Sequence, residues 1–232
     1  TSLFTHAAKI YDLPVNPCKK VKRMGNSDSR SLNFWTLDEY KQFIQTMEPG
    51  TRYYLIFEML FWTGCRIGEL LAITKADINF EKNRLSINKT YYRTGMQDII
   101  TEPKTKQSFR TIEIPEFLKE EIKEFVDGHY GMPDTERLFP VVQEAVQHKM
   151  KRQIELAGVK KIRVHDIRHS HVAYLIEKGV EPLLIRDRLG HKDIRITLNT
   201  YGHLYPNQQR KIANLLDNEN AVTGLGEERD EC

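Results

Sequence analysis

The segment TRYYLIFEMLFWTG, residues 51–64, constrains the fold more than any other part of the sequence. On a helix it is apolar almost all round, and such a helix is stable only when other parts of the protein cover every side of it. Gly64 is placed to end the helix in the left-handed conformation. The segment therefore predicts a buried central helix, and a chain of 232 residues is long enough to build a core around it.

Several further helices are indicated on either side of this segment. Thr36 and Glu39 form a capping box before a run of apolar residues at helical spacing that reaches Met47. A short helix is predicted within RIGELLAIT, and another has Pro115 in its first turn. One more helix is predicted over about 141–157, and three or four more over 166–216.

Residues 84–114 have a different pattern, in which β-branched and aromatic residues alternate with polar ones in three short runs. The runs cover roughly 84–92, 97–102 and 109–114, and turn residues separate them. They predict a three-stranded antiparallel sheet. The expected fold class is α+β, mainly α: a helical domain with one small three-stranded antiparallel sheet.

The composition is that of an ordinary soluble globular protein, with 40% hydrophobic and 29% charged residues. No apolar stretch approaches the roughly 20 residues of a membrane span, so no membrane partner is expected. The N-terminus has no signal-peptide pattern, and without an initiator methionine we expect a fragment. The three cysteines form no CxxC pair, which favours a reducing cytoplasm.

The net charge of +3 is unevenly distributed along the chain. Residues 217–232 hold six acids and one arginine, whereas the remainder has 34 basic and 26 acidic residues, a net charge of +8. Residues 18–33 are rich in Lys, Arg, Ser, Gly and Asn and are interpreted as a basic linker. A basic body suits a polyanionic partner, although many proteins of similar charge bind none.

Two segments in the first half of the chain carry candidate site residues. In TGCRIGELL, Arg66 stands where a helix begins, beside backbone N–H groups that favour an anion, and Glu69 is close enough to hold its guanidinium. In EPKTKQSFR, Lys104 and Lys106 lie at the turn between two predicted strands, from which a lysine can reach a cleft. In isolation, each of these residues is more simply read as a surface residue.

The segment HDIRHSH brings His165 and Arg168 to one side of the first turn of a helix whose predicted N-cap is Asp166. His165 and His169 are four residues apart, which raises the alternative of a zinc site. The glutamate base of HExxH is missing, and Arg168 would repel a cation. A polar site without metal is therefore favoured.

The segment LGHKDIRITLNTYGH places His191 in a loop after Gly190 and Tyr201 on the following helix. The alternative interpretation is a helix–turn–helix over 182–189 and 193–201, which would dock in the major groove of DNA without any chemistry.

Taken together, two arginines, a lysine, two histidines and a tyrosine supply the groups for attack on a phosphodiester without metal. The tyrosine hydroxyl is the nucleophile, and a covalent phosphotyrosine divides the displacement into two steps. Arginines bind the non-bridging oxygens as charge develops, and the lysine protonates the departing 5′ oxygen. Neither a metal nor another cofactor is expected.

The order of TGCRIGELL, PKTKQSFRTIEIP, HDIRHS and LGHKDIRITLNTYGH resembles the tyrosine recombinases, specifically integrases of phages and conjugative transposons, over about residues 34–215. The resemblance implies a site-specific recombinase that integrates or excises a mobile element through a 3′-phosphotyrosine. It implies a tyrosine nucleophile and five active-site partners: Tyr201, Arg66, Lys104, His165, Arg168 and His191. Lys104 is preferred to Lys106 because the family's lysine opens this turn, and Tyr205 does not match the family's spacing.

The resemblance also implies a domain organisation and partners. Residues 1–17 would end a core-binding domain, 18–33 would be the linker, 34–215 the catalytic domain, and 216–232 an acidic tail. The expected partners are double-stranded DNA with its recombination sites, a homotetramer on that DNA, and accessory DNA-bending or excision factors. His165 is expected to accept the tyrosine proton, and His191 to bind a non-bridging oxygen.

Three alternatives remain open from the sequence. A type IB topoisomerase shares the chemistry but needs no defined recombination site. A DNA-binding regulator built on residues 182–201 would form no covalent adduct and would leave Arg66 and Lys104 without a role. A zinc hydrolase would contain stoichiometric metal.

Overall fold

The computed structural model describes residues 2–11, 16–19, 33–102, 108–129, 131–195, 201, 213–214 and 216–219. The chain divides into two units, Thr1–Leu32 and Asn33–Cys232. In the first unit, helix α1 spans Ser2–Ile10 and a 3₁₀ turn spans Pro17–Lys19. The assignment of residues 1–17, which contain α1, to a core-binding domain stays a prediction.

The second unit begins with the two helices that the sequence predicts most strongly. Helix α2 spans Leu37–Ile44 behind the capping box, in which Thr36 Oγ1 accepts from Glu39 N at 3.2 Å and Glu39 Oε2 accepts from Thr36 N at 2.8 Å. Helix α3 spans Arg52–Thr63, and Gly64 follows it at φ 67° in the left-handed region. Both predictions are confirmed.

Helix α3 is the centre of the core because it has neighbours on several sides. It packs against α2, against α5 (Glu116–Asp127) and against α7 (Asp166–Glu177). Its side chains at Leu55, Phe57 and Phe61 are at most 1% exposed. Each such side chain contributes roughly 1.5–3 kcal/mol of hydrophobic stabilisation. Burial of these side chains therefore holds α3, and with it both of its ends, in a fixed position.

The strands form two small sheets instead of the single sheet expected. After the short helix α4 (Ile67–Leu70), strands β1 (Ile78–Asn79), β2 (Arg84–Ile87) and β5 (Arg110–Glu113) form a three-stranded antiparallel sheet in the order β1-β2-β5. Strands β3 (Thr90–Thr94) and β4 (Gln97–Thr101) form a separate antiparallel hairpin. The predicted class, α+β and mainly α, is confirmed.

The prediction that the three runs form one sheet was wrong, because the run 84–92 is interrupted between β2 and β3. Asn88 Nδ2 donates to Asp77 Oδ1 at 2.9 Å, and Lys89 Nζ lies 2.6 Å from Asp77 Oδ2. These contacts anchor the two residues to the turn before β1. Strand β1 therefore takes the outer position beside β2, and β3 leaves to pair with β4.

The remaining helices follow the predicted order with small shifts at their ends. Pro115 is the N-cap of α5, one position before the predicted first turn, and α6 spans Gln143–Ala157. Helix α8 spans Pro182–Leu189, as the helix–turn–helix reading predicted for its first helix. The second helix, 193–201, is described only at residues 193–195 and 201, and most of the acidic tail lies outside the described residues.

The N-terminus of α7 is held in place by contacts from distant parts of the chain. The backbone N–H of Trp35 donates to Ser170 Oγ at 2.9 Å, and its indole N–H donates to the carbonyl of Lys160 at 2.7 Å. Trp35 itself is 1% exposed. These bonds anchor the first turns of α7 and the segment before it, which carry His165, Arg168 and His169. None of the described helices is both long enough and apolar enough to cross a membrane.

Candidate active site

Arg66 lies at the N-cap of α4 and is held by the carboxylate three residues further on, as the spacing predicts. Its guanidinium donates to Glu69 Oε1 at 2.7 Å, and its backbone N–H donates to Glu69 Oε2 at 2.9 Å. The Arg66 side chain is 40% exposed, whereas that of Glu69 is 5% exposed. The arginine is therefore fixed from its buried side and open to a ligand from the other.

A second arginine, which the sequence analysis did not single out, binds the same carboxylate. Arg110 on β5 donates to Glu69 Oε2 at 2.8 Å and to Oε1 at 3.2 Å, and its Nε donates to the carbonyl of Arg188 at 2.8 Å. Burial alone would raise the pKa of Glu69, but the hydrogen bonds and charge of Arg110, with the charge of Arg66, lower it to about 2. Glu69 is therefore ionised and holds two arginines.

Arg168 joins the ends of two helices to α7. Its two terminal nitrogens donate to the carbonyl of Gly64, after α3, and to that of Leu189, at the end of α8, each at 2.7 Å. The residue is 4% exposed. Burial, followed by the charge of Arg66, lowers the pKa of Arg168 to about 9, so the guanidinium remains charged at neutral pH. The helix ends position this buried cation.

The predicted cap of α7 differs in the structure by one residue. The N-cap is His165, and Asp166 is the first helical residue. Asp166 accepts from Arg163 instead of capping the helix: its Oδ1 lies 2.7 Å from Arg163 Nη2, and its Oδ2 accepts from the Arg163 backbone at 2.9 Å. The pair closes the turn before the helix and leaves the His165 ring exposed at the helix start.

Tyr201 is buried, with 2% of its surface exposed, and its hydroxyl is hydrogen-bonded to Nδ1 of His169. The His169 ring in turn meets the His165 ring edge-on, with centroids 5.4 Å apart. Burial raises the pKa of Tyr201 to about 12, against the opposing charge of Arg168. The phenol is therefore neutral, and the group in contact with it is an imidazole.

His191 follows Gly190, which ends α8 in the left-handed conformation at φ 67°. Its backbone N–H donates to the carbonyl of Arg186 at 3.1 Å. Burial and then the charges of Arg168, Arg66 and Arg110 lower the pKa of His191 to about 4. The ring is neutral at pH 7 and lies within the field of the same arginines that surround Glu69.

Five of the six predicted site residues lie in the described part of the chain, and they are brought into one region. Burial and then the charges of Arg168 and Arg66 lower the pKa of His165, the same two arginines act on His191, and the charge of Arg168 also acts on Tyr201. Lys104 and its alternative Lys106 lie outside the described residues.

Arg110 and His169 are the members that sequence reasoning missed. Arg110 is 41 residues from Glu69, and no local spacing connects the two. His169 carried a signal in the His165–His169 spacing, but that signal was considered only for zinc. Among the described residues, no group of three or more His, Cys, Asp or Glu side chains is arranged to hold a metal ion.

An open groove of about 640 Å³ adjoins the site on the side of His165. Its apolar lining includes Met150 and Ile154 of α6, and its polar lining includes Lys151, Lys161 and Arg163. A groove that combines apolar and cationic side chains and includes His165 in its lining suits an extended anionic ligand that reaches the site.

The chain matches the model of the phage integrase family over residues 33–208. It is 32% identical to the ICEBs1 integrase of Bacillus subtilis over 93% of this chain and 64% of that protein. It is 28% identical to a XerC-like tyrosine recombinase of Caldanaerobacter subterraneus over 93% of this chain and 63% of that protein. The chain thus spans a little less than two thirds of the length of these relatives.

Solved structures share the fold. The Tn1549 transposon integrase in complex with a circular intermediate DNA superimposes with a TM-score of 0.76 at 20% identity, over 92% of this chain and 76% of that one. The XerA recombinase gives a TM-score of 0.60 at 23% identity, over 79% of this chain and 64% of that one. With the family match, they confirm the resemblance that the motifs indicated: the chain belongs to the phage integrase family of tyrosine recombinases.

Proposed function

We propose that the chain is the catalytic part of a site-specific recombinase that cleaves and rejoins DNA through a covalent 3′-phosphotyrosine, integrating or excising a mobile element. The observation that carries the proposal is the Tyr201 hydroxyl, bound to a histidine and lying in the field of Arg168. A nucleophile with a proton acceptor and cations for the phosphate is the minimum that transesterification requires.

The roles of the described residues follow from charge and position, and that of Lys104 follows from the resemblance. Tyr201 Oη attacks phosphorus while Arg66 and Arg168 stabilise the charge that develops on the non-bridging oxygens, and His191 donates a further hydrogen bond to one of them. Lys104 protonates the 5′ oxygen as its bond to phosphorus breaks. His165, exposed at the start of α7, is the active-site residue that also lines the groove.

The proposed partner is double-stranded DNA, which would lie along the groove edged by Lys151, Lys161 and Arg163. Support comes from the cationic edge and from the Tn1549 integrase, a protein of the same fold that was solved in complex with DNA. We extend the proposal to a tetramer on paired sites, to accessory DNA-bending or excision factors, and to the bacterial cytoplasm as the compartment. The four-part division at 1–17, 18–33, 34–215 and 216–232 belongs to the same proposal.

The test is covalent capture on a nicked suicide duplex that carries the attachment core of the element encoding the protein. Wild type is expected to form an adduct that survives SDS, and Tyr201→Phe is expected to form none. Tyr205→Phe is the matched control and should retain the adduct. An adduct that persists in Tyr201→Phe contradicts the assignment of the nucleophile, and DNA binding by wild type without any adduct favours the regulator.

A further inference from the structure

Two histidines lie near the nucleophile, and only one of them is in hydrogen-bond contact with it in the described structure. Nδ1 of His169 is bonded to the Tyr201 hydroxyl, and the two ring centroids are 5.5 Å apart. The His165 ring meets the His169 ring edge-on, with centroids 5.4 Å apart. Of the two rings, His169 is therefore the one that contacts the hydroxyl.

We propose that His169, and not His165, is the catalytic residue that accepts the proton of Tyr201 during cleavage and returns it during rejoining. The inference rests on the proposed function, since it names the proton acceptor of that reaction. Geometry comes first for a general base, which must lie within hydrogen-bond reach of the proton it removes. His169 meets this requirement directly.

The surroundings of His169 keep its ring neutral and ready to accept. Burial lowers the pKa of His169, and the charges of His165, Arg168 and Arg163 lower it further, against the opposing carboxylate of Asp166. His191 and Tyr201 are the other titratable groups that act on it or touch it. With the proton of the neutral ring on Nε2, Nδ1 is free to accept from the phenol.

Transfer of the Tyr201 proton to His169 has to accompany the attack of Oη on phosphorus instead of preceding it. Tyr201 has a pKa of about 12, far above that of an imidazole, so full transfer in the resting site is unfavourable. As the Oη–phosphorus bond forms, the phenolic oxygen loses basicity and its proton moves to His169 Nδ1. The electron pair of the breaking P–O5′ bond goes to the 5′ oxygen, which takes a proton from the general acid.

Rejoining reverses each of these movements. The 5′ hydroxyl attacks the phosphotyrosine, and its proton returns to the general acid. The phosphorus–Oη bond breaks, the departing phenolate takes back the proton held on His169, and the site returns to its starting state. The same imidazole therefore acts as base in one direction and as acid in the other.

A purely positioning role for His169 is the competing explanation, and the choice of variants separates the two. Asn at position 169 offers an amide oxygen near the place of Nδ1, so it can hold the hydroxyl without taking the proton. His169→Ala removes both functions. His165→Asn tests the neighbouring ring. His129→Asn is the matched control, because His129, which lies just after α5 and away from α7, is also hydrogen-bonded through Nδ1, to the Phe125 carbonyl at 2.7 Å.

The measurement is the single-turnover rate of adduct formation from pH 5 to 9 on the nicked duplex, with thermal unfolding as a check of each fold. For His169→Asn and His169→Ala, the rate of adduct formation at pH 7 is expected to fall about 10²–10⁴-fold, the usual contribution of a general base. Part of the loss should be recovered at high pH, and added imidazole should restore part of the Ala variant's rate. His129→Asn should match wild type.

A second substrate separates the base from the acid. With a bridging 5′ sulfur in place of oxygen, the leaving group needs no proton, so a defect in the general acid is relieved. The His169 defect should persist on this substrate, because the tyrosine must still lose its proton.

Three results would overturn the proposal. The first is a rate of adduct formation for His169→Asn within tenfold of wild type. The second is recovery of the rate of the His169 variants on the sulfur substrate. The third is a large loss of rate in His165→Asn while both His169 variants remain active. Failure of the proposed function looks different, since wild type itself would then form no adduct at Tyr201.

Discussion

Replacing Glu69 by Gln tests how strongly a single buried carboxylate supports the cationic site. Glu69 is 5% exposed and is shared by Arg66 and Arg110. Gln has the same shape but no charge, and its amide NH₂ would point at one of the two arginines. The substitution therefore leaves the buried Arg110, with 6% of its side chain exposed, without its anion.

The size of the effect follows from the pKa of the carboxyl. A fall from 4.5 to about 2 on folding corresponds to about 3.4 kcal/mol at pH 7, at 1.36 kcal/mol per pKa unit. The range of about 3–5 kcal/mol for breaking one side of a buried ion pair agrees with it. Because Arg66 is 40% exposed, solvent screens its share, and most of the energy belongs to Arg110.

The sign of the pH dependence is fixed by the direction of the shift. A carboxyl whose pKa is lowered on folding stabilises the protein above its ordinary value of 4.5, and that stability is lost as the pH falls toward 2. The difference between wild type and Glu69→Gln in the free energy of unfolding should therefore shrink from about 3.4 kcal/mol at pH 7 to about 2 kcal/mol at pH 3.5.

Urea unfolding at the two pH values measures both quantities, with Glu39→Gln as the matched control. Glu39 occupies the same capping-box position in α2, where it accepts from the Thr36 backbone. A Gln side chain can accept the same bond, so its cost should stay below about 1 kcal/mol. A cost for Glu69→Gln no larger than this, or one that is the same at both pH values, would refute the reasoning.

Two further predictions concern the contact between Gly64 and His171 beneath the site. Gly64→Ala should cost about 2–4 kcal/mol in urea unfolding, because φ is 67° and the new Cβ would lie 2.4 Å from His171 Cδ2. Gly158→Ala has the same φ with nothing within 4 Å, so it should cost only about 1–2 kcal/mol, and equal costs would contradict the clash. Burial, with the charge of Arg188, lowers the pKa of His171 to about 3. The stability that the neutral His171 ring contributes is therefore fully present above pH 6.5, the ordinary pKa, and is lost as the pH falls. Wild type should lose about 3 kcal/mol more than His171→Gln between pH 7 and pH 4, and parallel pH curves would contradict this.

Much of the fold was predictable from local pattern because the controlling interactions are local. The capping box at Thr36 and Glu39, the all-round apolar helix α3 and its stop at Gly64 depend on residues within four positions of one another. The Arg66–Glu69 contact is local in the same way. The motif order further identified the family, which the match over residues 33–208 confirms.

Tertiary structure decided what depends on residues far apart in the chain. The interruption at Asn88 and Lys89 redistributes the strands into two sheets because both side chains bind Asp77. Arg110 joins the site only because β5 brings it to Glu69, 41 residues away. No local pattern in the sequence predicts either set of contacts.

The choice between the two histidines of α7 is the clearest case. The sequence by itself determined that His165, Arg168 and His169 would share the beginning of one helix, because that depends only on helical period. Which imidazole meets Tyr201 depends on the direction from which the tyrosine arrives, 32 residues later. The contact joins residues 32 positions apart, beyond the reach of any local pattern, so only the folded chain places the hydroxyl on His169.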